Sequence, residues 1–255
     1  DADRCAVAVP DALGWRMLRG DELGALLGDY VMATAAADPA DSVVAATVVS
    51  SRLLSKLAPA RGVRYAETLT GFKWLARAAD GTGGRLVYAY EEAIGYCCDP
   101  DAVRDKDGIS AAVLAAHMVA RLGGQGRTLL DVLDGYAVEC GLHVTDQLAI
   151  RVDDLAEIQA MMARLRAAPP RELAGAPIEV DDLAGRRGPM RTDAVVLRGD
   201  ATRVVIRPSG TEPKLKAYLE IATPVSDPEE LAPRRTAATA ALHTLRAEVR
   251  SLLGA

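Results

Sequence analysis

Cysteine and histidine are scarce in this chain: Cys5, Cys97, Cys98 and Cys140 in 255 residues, with no Cys-x-x-Cys spacing, and three histidines. The scarcity excludes a small disulfide scaffold and argues against thiolate zinc. The vicinal Cys97–Cys98 pair would close only with strain, so reduced thiols and a cytoplasmic setting are expected. Long apolar runs are also missing. None reaches the ~18–20 residues that cross a bilayer, so no membrane partner is expected. Basic residues are in deficit, 30 against 35 acidic, for a formal charge of −5. The pairs Arg186–Arg187 and Arg234–Arg235 have no aromatic neighbours, so no nucleic-acid partner is expected either.

What is present suits folded domains: half the residues are hydrophobic and a quarter charged. At roughly 100–200 residues per domain the length allows one or two, each able to bury a core. Cys5–Val9 is continuously apolar and predicts a strand closed by Pro10, Asp11 and Gly14. Asp21 is placed to cap a helix bearing Leu23, Leu26, Leu27 and Val31, ending near Asp38-Pro39. There follow strand Val43–Val49, helix Ser51–Leu57, strand Val63–Leu69, helix Phe72–Ala79 and strand Arg85–Tyr90. This alternation predicts a layered α/β domain.

After Asp105–Gly108 a long helix is expected, with Ile109, Val113, Ala116 and Ala120 on one face, ended by Gly123, Gly124 and Gly126. A helix near Leu129–Ala137 follows, and the character of the chain changes around Cys140–His143. Beyond it come an alternating strand through Leu148, Ile150 and Val152, a helix Leu155–Leu165, and a strand Thr202–Arg207. A second alternating strand has Leu215, Ala217, Leu219 and Ile221 on one side, and a last helix stripes Ala238, Leu242, Leu245, Val249 and Leu252. Grouped strands with flanking helices predict a smaller α+β domain. The histidines, His117, His143 and His243, have no evident acidic partner and are expected to be structural or exposed.

Four loops could carry chemistry. Arg207-Pro208-Ser209-Gly210-Thr211-Glu212-Pro213 joins two alternating strands and has the composition of an oxyanion clamp: a guanidinium, two hydroxyls, and amides that Gly210 leaves approachable. Its bland alternative is an ordinary hairpin loop. Glu91-Glu92-Ala93-Ile94-Gly95-Tyr96 sets adjacent carboxylates at a strand's carboxyl end, where open α/β sheets bind ligands. Thr70-Gly71-Phe72-Lys73 places a lysine in the first turn of a helix, against the dipole unless an anion is near, and Asp105-Lys106-Asp107-Gly108 repeats the pattern. Asp1-Ala2-Asp3-Arg4 offers alternate carboxylates to a hard cation such as Mg²⁺.

In this order the four loops resemble the α-D-phosphohexomutase superfamily, the phosphoglucomutases and phosphomannomutases. Asp1-Ala2-Asp3-Arg4 resembles the end of that family's magnesium loop. Thr70–Lys73 resembles its third-domain turn, Glu92–Tyr96 its sugar loop, and Arg207–Pro213 its phosphate loop. The resemblance implies residues 1–18 as the end of a second domain with the metal loop, 19–141 as a sugar-binding mixed-sheet α/β third domain, and 142–255 as a TATA-binding-protein-like α+β fourth domain. It also implies an isomerase that moves phosphate between C1 and C6 of a hexose phosphate through a phosphoserine and a hexose bisphosphate. No Thr-Ala-Ser-His-Asn string occurs, so the phosphoserine and domains one and two are expected outside this chain, and the chain alone inactive.

By the same resemblance Asp1 and Asp3 would hold Mg²⁺, with Arg4 and Lys106 catalytic beside the transferring phosphate. Thr70, Gly71, Phe72, Lys73, Glu92, Ala93 and Gly95 would contact the sugar, and Arg207, Ser209, Gly210 and Thr211 the other phosphate. Lys73, Lys106 and Arg207 are expected to line a positive cleft. Glucose, mannose and pentose phosphates are not distinguished. Competing readings are a non-catalytic sugar-phosphate binding module and a Mg²⁺ phosphatase using Asp1 or Asp3.

Overall fold

The computed structural model describes residues 1–12 and 14–254, which divide into two compact units, Asp1–Cys140 and Gly141–Ala255. The first opens with a hairpin of β1 (Ala8–Asp11) and β2 (Gly14–Met17), then α1 (Gly20–Thr34), β3 (Ser42–Thr47), α2 (Leu53–Ala60), β4 (Arg64–Thr68), α3 (Phe72–Leu75), β5 (Arg85–Glu91), β6 (Gly95–Cys97), α4 (Gly108–Gly123) and α5 (Leu129–Cys140). The sheet order is β4-β3-β5-β6, with β3 parallel to both neighbours and β6 antiparallel to β5.

Strand β3 has no polar face because both its sides are covered. Val44 and Ala46 join the larger core with Leu23, Leu26 and Leu27 of α1, while Val43 and Ala45 join a smaller one with Phe72 and Leu75. Three tyrosines form a ladder in the larger core. Tyr88 stacks on Tyr90 at 6.3 Å and Tyr90 on Tyr96 at 6.5 Å. Tyr88 donates to Gly24 O at 2.8 Å and Tyr96 to Gly20 O at 3.3 Å, so the buried hydroxyls keep partners on α1.

The second unit contains β7 (Leu142–Arg151), α6 (Leu155–Ala167), β8 (Glu172–Leu173), β9 (Ala176–Pro177), β10 (Glu179–Asp182), β11 (Val195–Arg198), β12 (Thr202–Pro208), β13 (Lys214–Thr223) and α7 (Leu231–Leu253). Its main sheet, β10-β11-β12-β13-β7, is antiparallel throughout. Leu215, Ala217, Leu219 and Ile221 are buried, and so are Ala238, Leu242, Leu245 and Val249 of α7. The architecture is α/β followed by α+β, as the pattern of elements predicts.

Several expectations need correction. Strand Cys5–Val9 starts later, at Ala8, because Cys5 N bonds Ile94 O at 3.1 Å and Arg4 makes an isolated bridge to Gly95. Asp21 is not the cap of α1: Arg19 holds that position, and the buried Asp21 carboxylate accepts from Ser51 N at 2.7 Å and Tyr90 OH at 3.0 Å. Helix α1 stops at Thr34, and Asp38 instead caps the short turn Pro39–Asp41. Helix α3 ends at Leu75, and successive three-residue turns replace its expected continuation to Ala79.

The apolar face named for α4 points to water, with Ile109 and Val113 65% and 66% exposed, while Ala111, Ala115 and Met118 pack inward. A helix apolar nearly all round does not reveal by periodicity which stripe is covered. His143 does have an acidic partner: its Nδ1 lies 2.8 Å from Glu220 Oε1, and Arg203 Nε lies 3.6 Å from Glu220 Oε2, with all three side chains buried.

Candidate functional site

The carboxyl ends of β4 and β5 and the start of α4 gather the candidate loops of the first unit. Tyr90 and Glu91 end β5, the chain bends through 92–94 with Ile94 in the left-handed region at φ 57°, and Gly95 returns it as β6. The turn is seated on the start of α1. A Cβ on Gly20 would lie 1.9 Å from Glu92 O, so only glycine admits this approach. Glu91 reaches sideways, and its Oε1 accepts Gly71 N at 2.9 Å, tying the Thr70–Lys73 turn to the sugar-loop candidate. Gly71 has φ +112°, a conformation that favours glycine.

The first residues lie across this turn. Arg4 donates from Nη1 to Ala93 O at 3.3 Å, and Gly108 N donates to Ala2 O at 3.0 Å. Lys106 runs beneath them, so that a Cβ on Gly95 would meet its Cδ at 2.5 Å. Its Nζ lies 3.7 Å from Asp3 Oδ2, 3.3 Å from Asp105 Oδ1, and 5.0 Å from the Phe72 ring centre. Asp107 follows as the N-cap of α4, accepting from Ile109 N and Ser110 N, and its carboxyl is held below the usual range chiefly by the Ser110 side chain.

Asp3, Arg4, Gly71, Phe72, Ala93, Gly95 and Lys106 are therefore brought together, from segments up to about a hundred positions apart. Lys73 is not in this cluster; it is exposed, with Nζ 5.3 Å from the Trp74 ring centre. Glu92 is half-buried and Asp1 exposed. Reasoning from sequence missed the support beneath the cluster: Gly20 under Glu92, Asp21 bridging Ser51 and Tyr90, and Glu91, not its neighbour, fastening Gly71. Glycine at a helix start beside an acid was the available signal for the first of these.

Among the described residues no group of three His, Cys, Asp or Glu side chains is arranged to hold a metal. Asp1 and Asp3, separated by Ala2 at φ 58°, offer two carboxylates. That donor set fits Mg²⁺, which takes one or two carboxylates when phosphate oxygens and waters complete its shell.

In the second unit the loop 207–213 joins β12 to β13. Ser209 N donates to Lys214 O at 2.8 Å, and Val152 N to Pro213 O at 3.1 Å. Lys214 Nζ bonds Glu212 Oε1 at 2.7 Å and holds that carboxyl below its ordinary range. Gly210 and Thr211 are exposed, and a Cβ on Gly210 would meet no atom within 4 Å. Register places Arg207 opposite Lys216, and Lys214 opposite Arg151. Like charges directly opposed across strands are unfavourable, and the Glu212 carboxylate, which Lys214, Arg151 and Lys216 all act upon, offsets part of this repulsion.

Two family models match the chain: "Phosphoglucomutase/phosphomannomutase, alpha/beta/alpha domain III" over residues 19–137 and "Phosphoglucomutase/phosphomannomutase, C-terminal domain" over 148–236. A probable phosphomannomutase of Haemophilus influenzae is 42% identical over 86% of this chain and 44% of its own length. A phosphopentomutase of Mus musculus is 34% identical over 91% of this chain and 42% of its own. The chain thus spans less than half the length of these curated relatives. Among solved structures, a putative phosphomannomutase of Thermus thermophilus shares the fold with a TM-score of 0.67 at 21% identity, covering 100% of this chain and 44% of that one.

Proposed function

The chain belongs to the phosphoglucomutase/phosphomannomutase family, matching its third and carboxyl-terminal domains, and from that premise we propose that it binds a hexose phosphate for intramolecular phosphoryl transfer between C1 and C6. The observation that carries this reading is the convergence, at the carboxyl ends of the first unit's strands, of the Asp3-Arg4 segment, the Gly71-Phe72 turn, the Ala93–Gly95 turn and Lys106.

In this reading Glu92, with Thr70, Gly71, Phe72, Ala93 and Gly95, recognises the sugar, and Lys73, exposed beside Trp74, adds positive charge at the edge of the same turn. Arg4 and Lys106 face the transferring phosphoryl group and favour its spread negative charge. Asp1 and Asp3 hold Mg²⁺, which supplies further charge neutralisation when bound. In the second unit Arg207 gives charge-assisted bonds to the phosphate that is not transferred, and Ser209, Gly210 and Thr211 add neutral donors. Phosphoryl transfer needs chiefly positioning and charge, and these residues supply both without covalent chemistry of their own. The phosphoserine and the hexose bisphosphate intermediate belong to the whole enzyme, so this 255-residue chain alone is expected to be without turnover.

The phosphopentomutase relatives favour a second reading in which ribose phosphates are the substrates. Calorimetry of the chain with glucose 1-phosphate, mannose 1-phosphate and ribose 1-phosphate separates the two. Binding of a hexose phosphate lowered at least tenfold by Arg207→Ala, from charge-assisted bonds worth ~1.5–3 kcal/mol, supports the proposal. Preference for ribose 1-phosphate supports the second reading, and unchanged affinity in the variant overturns both.

A further inference from the structure

A cleft of about 360 Å³ lies among α1, α4 and α5 of the first unit. It borders Leu26, Asp29, Tyr30 and Ala33, and Asp29 stands nine residues along α1 from Gly20, about 13 Å at 1.5 Å per residue. The cleft is therefore apart from the loops of the candidate site. Its volume falls within the range of ordinary small-molecule sites, ~300–1,000 Å³.

Part of its lining is polar and already satisfied. Arg61 donates to Asp29 Oδ1 at 2.8 Å and to both oxygens of Glu139 at 2.5 and 3.0 Å, and Tyr136 donates to the other Asp29 oxygen at 2.7 Å. Leu26 and Met118 are buried apolar lining. Another part of the lining has uncommitted positive charge. Arg121 lies over Tyr30, its guanidinium carbon 5.8 Å from the ring centre, and Arg127 stands at the loop after α4. Among the described residues neither forms an ion pair within 4 Å; Asp131 acts on Arg127 only at longer range.

One residue is unaccounted for by packing. Gly135 sits inside α5, where glycine weakens a helix relative to alanine, yet a Cβ there meets no atom within 4 Å. Neither a close approach nor a positive φ calls for it, and it borders the cleft. Gly135 is exposed, so a larger side chain there would extend into the open space that the cleft borders.

We propose that this cleft is a ligand site for a small organic anion with a flat aromatic body, the ring lying against Tyr30 and the apolar lining and the phosphate or carboxylate meeting Arg121 and Arg127. The test is an amide-resolved NMR titration of the ¹⁵N-labelled 255-residue chain with phenyl phosphate, benzoate and inorganic phosphate. Saturable shifts at Tyr30, Gln125 and Gly135 are expected with at least one aryl anion, at an affinity tenfold or more above that of inorganic phosphate. The better aryl probe identifies the anion. Arg121→Gln should weaken binding at least fivefold, Gly135→Leu should abolish the shifts by filling the cleft, and Arg207→Ala should leave them unchanged. Gly135→Ala provides the folding control, since it should raise helix stability. No shifts with either aryl probe, an equal response to inorganic phosphate, or persistence in Gly135→Leu would overturn the proposal.

Discussion

The two units hold their candidate loops by opposite means. In the first, four segments touch one another at backbone distance, with Gly20 against Glu92, Lys106 under Gly95 and Gly108 against the carbonyls of Ala2 and Arg4. In the second, loop 207–213 stands on two strand ends with Gly210 in open space, while His143, Arg203 and Glu220 form a buried polar cluster in the sheet behind it. The first site is inseparable from its fold, whereas the second is an exposed attachment to a sheet whose stability is decided elsewhere. Damage to function should accordingly appear as unfolding in one case and as lost ligand contact in the other.

The largest expected effect lies in the second unit, away from its loop. Glu220→Ala leaves His143 and Arg203 buried without their carboxylate and should cost about 3–5 kcal/mol in urea unfolding followed by circular dichroism; a loss below about 1 kcal/mol would show the triad to be solvated. Next comes Gly20→Ala, whose Cβ would strike Glu92 O. A loss of about 1–3 kcal/mol in the first unit is expected, with amide shifts through 91–95.

Smaller still is Asp107→Ala, which removes the cap of α4 and should cost about 0.5–2 kcal/mol. Because the folded carboxyl of Asp107 is held below its unfolded value, its stabilisation is full above the usual aspartate pKa, about 3.9, and is lost as pH falls through the folded value. The variant should therefore flatten the acid limb of the stability curve below about pH 4, and an unaltered limb would contradict the assignment. Smallest is Gly210→Ala, expected within about 0.5 kcal/mol of the parent. Equal losses for Gly20→Ala and Gly210→Ala would erase the distinction between the units.

Much of this organisation was legible in the residues. Both sheets announce themselves through apolar or alternating strands, and the loops at their ends through Gly, Arg and paired acids. What could not be read is governed by distance in space. His143 and Glu220 are 77 positions apart, and only the antiparallel pairing of β7 with β13 makes them neighbours. Asp21 has the composition of a helix cap, but two buried donors claim its carboxylate. For α4, alanines and valines occur on every side, so what lies opposite decides which are covered. In the site, Glu91 and Glu92 are chemically identical in sequence, and only the bend after β5 sends Glu91 to Gly71.

The tyrosine ladder makes the first unit optically distinct. Six of the seven tyrosines and both tryptophans belong to it, leaving Tyr218 as the second unit's sole aromatic residue among Phe, Trp and Tyr. Burial pushes the phenols of Tyr88, Tyr90 and Tyr96 well above the ordinary tyrosine value. In alkali an intact ladder ionises later than ordinary tyrosines, so a late rise in tyrosinate signal times the opening of the first unit and is nearly blind to the second.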